Sequence, residues 1–143
     1  FANGKFTPKN PEKYVGKKFP YARSSWEFVF MKMLDEHPGV EHWASESIQI
    51  PYRDPLTGKS TIYVPDFFIS YSDKNGKKHA EVIEVKPTNH TMRESVGKSR
   101  YNQEQYVKNL AKWEAATAWC KQKQIKFRVV TEDDIFHQGK KRK

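Results

Sequence analysis

The 143-residue sequence is short of several things, and each shortage removes a class of protein. A single cysteine, Cys120, excludes an internal disulfide framework and a thiolate metal cluster. No uninterrupted apolar run exceeds residues 28–31, far below the roughly 20 residues that cross a bilayer, so no membrane span is expected. The first twenty residues are basic without a continuous apolar stretch, so no secretory leader and no secretion are expected. The chain opens on Phe1 and not Met, as a trimmed product would. Its five histidines, at 37, 42, 79, 90 and 137, show no metal-ligand spacing. No internal repeat is evident. Apolar residues make up only 36% of the chain, yet 14% is aromatic, which supports a compact core and argues against wholesale disorder. The length points to one domain.

Positive charge is what the sequence has in excess. The formal net charge is +9 and the pI near 9.6, so the expected partner is acidic, with nucleic acid the obvious choice. The charge is uneven. Residues 1–23 carry six basic and one acidic residue, residues 24–73 three basic and eight acidic, and residues 74–143 seventeen basic and eight acidic. An acidic middle inside a basic frame is either a solvated face or a set of carboxylates gathered for a cation.

Residues 1–22, rich in Lys, Pro and Gly, read as an extended basic arm, residues 23–137 as the folded domain, and residues 138–143 as a basic tail. A helix is expected from Ser24 or Ser25, with Trp26, Val29, Phe30, Met33 and Leu34 at helical spacing and His37-Pro38-Gly39 as its stop. Residues 48–52 and 61–71 read as strands, with Pro51 marking an edge or bulge in the first. Asp73-Lys74-Asn75-Gly76 is a hairpin turn, and residues 79–86 are the return strand. A polar loop over 88–100 leads to a helix over 101–123, with Tyr106, Leu110, Trp113, Thr117 and Cys120 along one stripe. A strand over 125–130 and a capping box, Thr131-Glu132-Asp133-Asp134, open a short last helix. The expected fold is therefore α/β, a single domain with an α-β-β-β-α-β core and a mixed sheet flanked by helices.

The hairpin turn supplies geometry. With Asn75-Gly76 at the tip, Asp66 faces Glu84 or its neighbour across the ladder, and Glu84 and Lys86 share that face because they lie two apart on one strand. Ile62, Val64, Phe68 and Val82 flank them, so both strands look largely buried. Two carboxylates forced together there repel and lose hydration unless a cation compensates. Oxygen ligands without a His or Cys cluster suit Mg²⁺, with Mn²⁺ as a substitute. The Val85 carbonyl is a further candidate ligand. Glu27 has two readings that are compatible: partner of Ser24 in a capping box, and a carboxylate on the inward stripe that completes the metal set. Asp66, Glu84 and Lys86, with Glu27, are thus the candidate catalytic residues, and the chemistry such a cluster performs is phosphodiester hydrolysis. Lys86 would orient or deprotonate the attacking water, or stabilise the phosphorane.

Pro65-Asp66, seventeen intervening residues and Glu84-Val85-Lys86 resemble the signature of the PD-(D/E)xK, restriction-endonuclease-like superfamily. Glu27 on the first helix resembles its TnsA-like endonuclease branch. The chain is most similar to the head-completion nucleases of large contractile-tailed bacteriophages, in Pro8-Lys9-Asn10-Pro11-Glu12-Lys13-Tyr14, Arg23-Ser24-Ser25-Trp26-Glu27, Ile50-Pro51-Tyr52, Pro65-Asp66-Phe67-Phe68, Glu84-Val85-Lys86-Pro87 and Lys112-Trp113-Glu114-Ala115-Ala116. The resemblance implies a Mg²⁺-dependent DNA endonuclease acting on packaged DNA ends after capsid filling. It also implies a location in the host cytoplasm or the virion head and neck, with capsid, portal or neck proteins as partners and pairing of two copies as an option. Recombination exonucleases of the superfamily carry Gln-x-x-x-Tyr on the helix after the Lys. Here Asn102 precedes Tyr106, which favours a local cutter over a processive exonuclease. A site-specific transposon-end or homing-type enzyme is one alternative. The other is a non-catalytic DNA-end-binding or capsid-plug protein, which the intact Asp/Glu/Lys set disfavours.

The expected substrate is double-stranded or branched DNA. Arg93, Lys98 and Arg100 in the loop and Lys108 and Lys112 on the long helix are the candidate phosphate contacts, so binding should be steeply salt-dependent. Trp26, Trp113 and Trp119 read as core, and Trp43 as less clearly so.

Overall fold

The computed structural model describes residues 4–86, 99–131 and 134. The elements run in the order β1 (Gly4–Lys5), a 3₁₀ turn (Pro11–Lys13), β2 (Tyr21–Ala22), α1 (Ser25–Glu36), β3 (Val40–Ser45), β4 (Ile50–Arg53), β5 (Ser60–Tyr63), β6 (Phe67–Ser72), β7 (Lys78–Val85), α2 (Arg100–Gln122) and β8 (Lys126–Val130). The main sheet is β3-β6-β7-β8, and β4 and β5 form a separate two-stranded hairpin. Strands β3, β6 and β7 are antiparallel neighbours; β8 runs parallel to β7, because α2 carries the chain back across the sheet before it pairs. The sheet is mixed, as expected.

Its first strand is not the expected one. Residues 48–52 lie in the hairpin, and β3 takes the sheet position, directly after the helix stop. Residues 61–71 are not one strand either. Pro65 lacks the N–H a ladder needs, so β5 ends at Tyr63, β6 begins at Phe67, and Asp66 falls at the junction. The β6–β7 turn is as expected: Gly76 takes the left-handed backbone (φ 80°), while Asp73 Oδ1 accepts from the N–H groups of Asn75 and Lys77.

Two apolar clusters position the site. On one face of the sheet α1 contributes Phe30, Met31 and Leu34, which meet Phe67, Ile69, Ile83, Val85 and Val130. Trp43 on β3 is fully buried in this cluster, with half-buried Trp26 packed against it. On the other side α2 packs on the β4–β5 hairpin and β8, where Ala116, Trp113 and Trp119 meet Ile50, Tyr63 and Phe127. The buried stripe of α2 is Asn109, Ala116 and Cys120, turned from the expected line: Leu110 and Thr117 face solvent because α2 covers a narrow hairpin.

Residues 4–22, expected as an extended arm, are packed onto the domain. Phe6 enters the α1-side core, and Tyr14 bridges to Trp43 along the outer edge of β3. Asp35, 1% exposed, accepts from the N–H of Lys9 (2.8 Å) and of Asn10 (3.0 Å). Lys13 Nζ caps the end of α1 by donating to the carbonyls of Asp35 and His37. Of the capping box, Thr131 N–H donates to Asp134 Oδ2 (3.0 Å); the expected last helix and basic tail lie outside the described residues.

Candidate active site

The site forms where β6 begins beside the end of β7. Phe67 pairs with Ile83 and Phe68 with Val82, so the register extended by one residue sets Asp66 opposite Glu84. Two hydrogen bonds close that junction: Asp66 N–H donates to Glu84 Oε1 (3.3 Å), and Val85 N–H donates to Asp66 Oδ2 (2.8 Å). Glu84 Oε1 also accepts from the Tyr63 hydroxyl at 2.8 Å. Lys86 Nζ lies 3.6 Å from Glu84 Oε2. Each carboxylate therefore has one oxygen tied to the scaffold and one turned elsewhere. Among the described residues no donor reaches Asp66 Oδ1. The N–H and C=O of one strand residue point to the same edge, so the Val85 carbonyl is directed to the side on which its N–H meets Asp66.

Glu27 joins from the other layer, in the first turn of α1. Its N–H donates to the Ser24 hydroxyl (3.1 Å), and its Oε1 accepts from Arg23 N–H (3.1 Å), so it does cap the helix, one residue earlier than a standard capping box. Its charge also acts on the Asp66 carboxyl. Burial, then the charges of Glu84 and Glu27, push the Asp66 carboxyl well above the usual carboxylate range, against the Val85 N–H and Lys86. Burial raises Glu84 too, opposed by Lys86, the Tyr63 hydroxyl, the Asp66 N–H and Lys112. Glu27 is raised by burial and by Glu46 and Glu84, with the Arg23 N–H opposing. Three carboxylates that each favour a proton in this way lack positive charge.

The donors are hard oxygens. Among the described residues no group of three or more His, Cys, Asp or Glu side chains is placed to hold a metal ion. An open set of one or two carboxylates that leaves positions for water and phosphate oxygens is how Mg²⁺ is usually held, so the residues fit such an ion.

The candidate DNA contacts divide. Lys112 is, of the described three, the one whose charge acts on Glu84: its Nζ sits 5.6 Å from the centroid of the Tyr63 ring, and its pKa is lowered first by burial and then by Lys86. Lys108 Nζ lies 3.7 Å from Asp54 Oδ2 and ties α2 to the hairpin turn. Arg100 is exposed and pairs with Glu104. Arg93 and Lys98 lie outside the described residues. Sequence reasoning missed Tyr63 and the Arg23–Glu46 pair (Nε to Oε2 2.7 Å). No motif flagged either, although Tyr63 stands three residues before Asp66.

The chain is also similar to known proteins. A family model described as the TnsA-like endonuclease N-terminal domain matches residues 37–132, a stretch that holds Asp66, Glu84 and Lys86 and begins after Glu27. The chain is also 36% identical, over 144 aligned positions covering 93% of each chain, to the head completion nuclease of Enterobacteria phage T4. An acidic pair at a strand junction, a lysine two residues on and these two matches lead to one conclusion: the chain belongs to the TnsA-like endonuclease family.

Proposed function

We propose that this endonuclease cuts DNA with the help of Mg²⁺, which Mn²⁺ can replace, and that it acts on packaged DNA ends during phage head completion. The observation that carries the chemistry is a group of three carboxylates, buried Glu84 with half-buried Asp66 and Glu27, each pushed toward protonation, with Lys86 beside Glu84. Asp66, Glu84 and the Val85 carbonyl would hold the ion, with Glu27 completing the set directly or through water. Such an ion lowers the pKa of bound water and neutralises charge developing on the phosphate. Lys86, on the same face as Glu84, is in reach of an attacking water or a phosphate oxygen, and does the orienting and proton handling. Lys112 adds a second positive charge on the α2 side, where the DNA backbone would lie.

The near full-length likeness to a head completion nuclease supports the phage setting and a place in the infected cell or the virion. A TnsA-like match taken alone would suit a transposon-end cutter equally well. A panel of blunt, gapped and branched duplexes, with supercoiled plasmid as control, separates the two. A head-completion enzyme cuts without a sequence requirement, in Mg²⁺ or Mn²⁺ and not in EDTA. Cleavage confined to one sequence supports the site-specific reading, and no cleavage of any form defeats both.

A further inference from the structure

Tyr63 is outside the catalytic signature, yet it is the side chain that donates a hydrogen bond to Glu84, a candidate ligand. From its place at the end of β5 its hydroxyl donates to Glu84 Oε1 at 2.8 Å, and both residues are buried. The ring is held from three sides. Phe127 of β8 meets it edge-on at 6.5 Å, Lys112 Nζ sits over its face at 5.6 Å, and Trp113 of α2 packs in the same cluster. Glu84 Oε1 thus has two donors, Tyr63 and the Asp66 N–H, which turns Oε2 outward toward Lys86. A flexible glutamate would otherwise sample several rotamers, and a metal site loses affinity when its ligand is not held.

We propose that Tyr63 is a positioning residue that fixes Glu84 so that Oε2 is presented to the divalent ion, and that it thereby couples the α2–hairpin layer to the metal site. The inference rests on the metal-dependent reading above. Tyr63→Phe removes only the hydroxyl and keeps the ring. Manganese binding to the DNA-free protein, followed by electron paramagnetic resonance, should weaken by about 10- to 100-fold. Duplex binding in Ca²⁺ should be unchanged, and cleavage should be recovered at high Mg²⁺. Phe6→Leu, in the α1-side core away from Tyr63, is the packing control: it should lower thermal stability but leave Mn²⁺ affinity as in the wild type. Wild-type Mn²⁺ affinity in folded Tyr63→Phe protein overturns the proposal, as does an equal loss in Phe6→Leu. Wild-type protein that binds no Mn²⁺ overturns the metal reading itself, and is recognised as such before any variant is compared.

Discussion

Asp66→Asn should make the metal-free protein more stable. Asparagine has nearly the same shape, and its carbonyl can take over the 2.8 Å bond from Val85 N–H, so neither packing nor a buried hydrogen bond is lost. What goes is one negative charge, half-buried, from a group of three around buried Glu84, offset in part by losing attraction to Lys86. Replacing poorly compensated buried charge by a neutral group commonly gains about 1–3 kcal/mol. For a domain of this size that corresponds to a rise in Tm of about 3–12 °C. The pH dependence follows from linkage. The folded-state pKa of Asp66 is raised, so its protonated form stabilises the fold below the unfolded value of about 4, and that stability is lost as pH rises through the folded pKa. The advantage of Asp66→Asn should therefore be small at pH 4 and full at pH 7.5. Mg²⁺ at ten times its Kd should raise wild-type stability by about 1.4 kcal/mol and the variant by less. Thermal unfolding by circular dichroism at pH 4, 6 and 7.5, in EDTA and in Mg²⁺, measures all of this. Asp66→Asn protein no more stable than wild type in EDTA at pH 7.5 would refute the reasoning.

Other perturbations separate the roles of neighbouring residues. Lys86→Ala should lower single-turnover cleavage by about 100-fold or more while leaving the Mg²⁺ half-saturation point unchanged, since its charge serves the reacting groups and not the ion. Lys112→Ala should weaken duplex binding and reduce the slope of log affinity against log salt by about 0.9, checked by fluorescence anisotropy across a salt series. Lys108→Ala should change that slope less, because Lys108 is already paired with Asp54, and should loosen the hairpin's hold on α2. Asp35→Ala should destabilise the domain by about 3 kcal/mol in urea unfolding, because two backbone N–H groups lose a charged acceptor in a buried place.

Local signals were the legible part of this molecule. Ser24 and Glu27 mark the start of α1, and the Asp73–Gly76 turn sets the register that brings Asp66 to Glu84, because a hairpin's pairing follows from its tip. The sheet's membership was less legible. In β3, the edge strand of the sheet, a run of Val, Glu, His, Trp, Ala and Ser does not alternate cleanly, and burial of consecutive residues Trp43, Ala44 and Ser45, not pattern, decides its state. Pro65 splits a run rich in strand-favouring residues, and the split is what exposes Asp66 to its partners. The basic N-terminal segment looked like an arm because its anchor, Asp35, is far away in sequence and does its work through backbone donors that composition does not reveal. Tyr63 escaped notice for a related reason: a tyrosine in a strand is ordinary, and only the tertiary structure shows where its hydroxyl ends.

The central claim is that the acidic group of Asp66, Glu84 and Glu27 holds a divalent ion for DNA cleavage. Its most direct test is the rate of supercoiled plasmid nicking across a Mg²⁺ titration, for wild type and for Asp66→Asn protein shown to be folded. The account predicts saturable, EDTA-sensitive nicking by wild type and none by the variant at any Mg²⁺ concentration. Nicking by Asp66→Asn at the wild-type rate, or wild-type nicking that persists in EDTA, would contradict it.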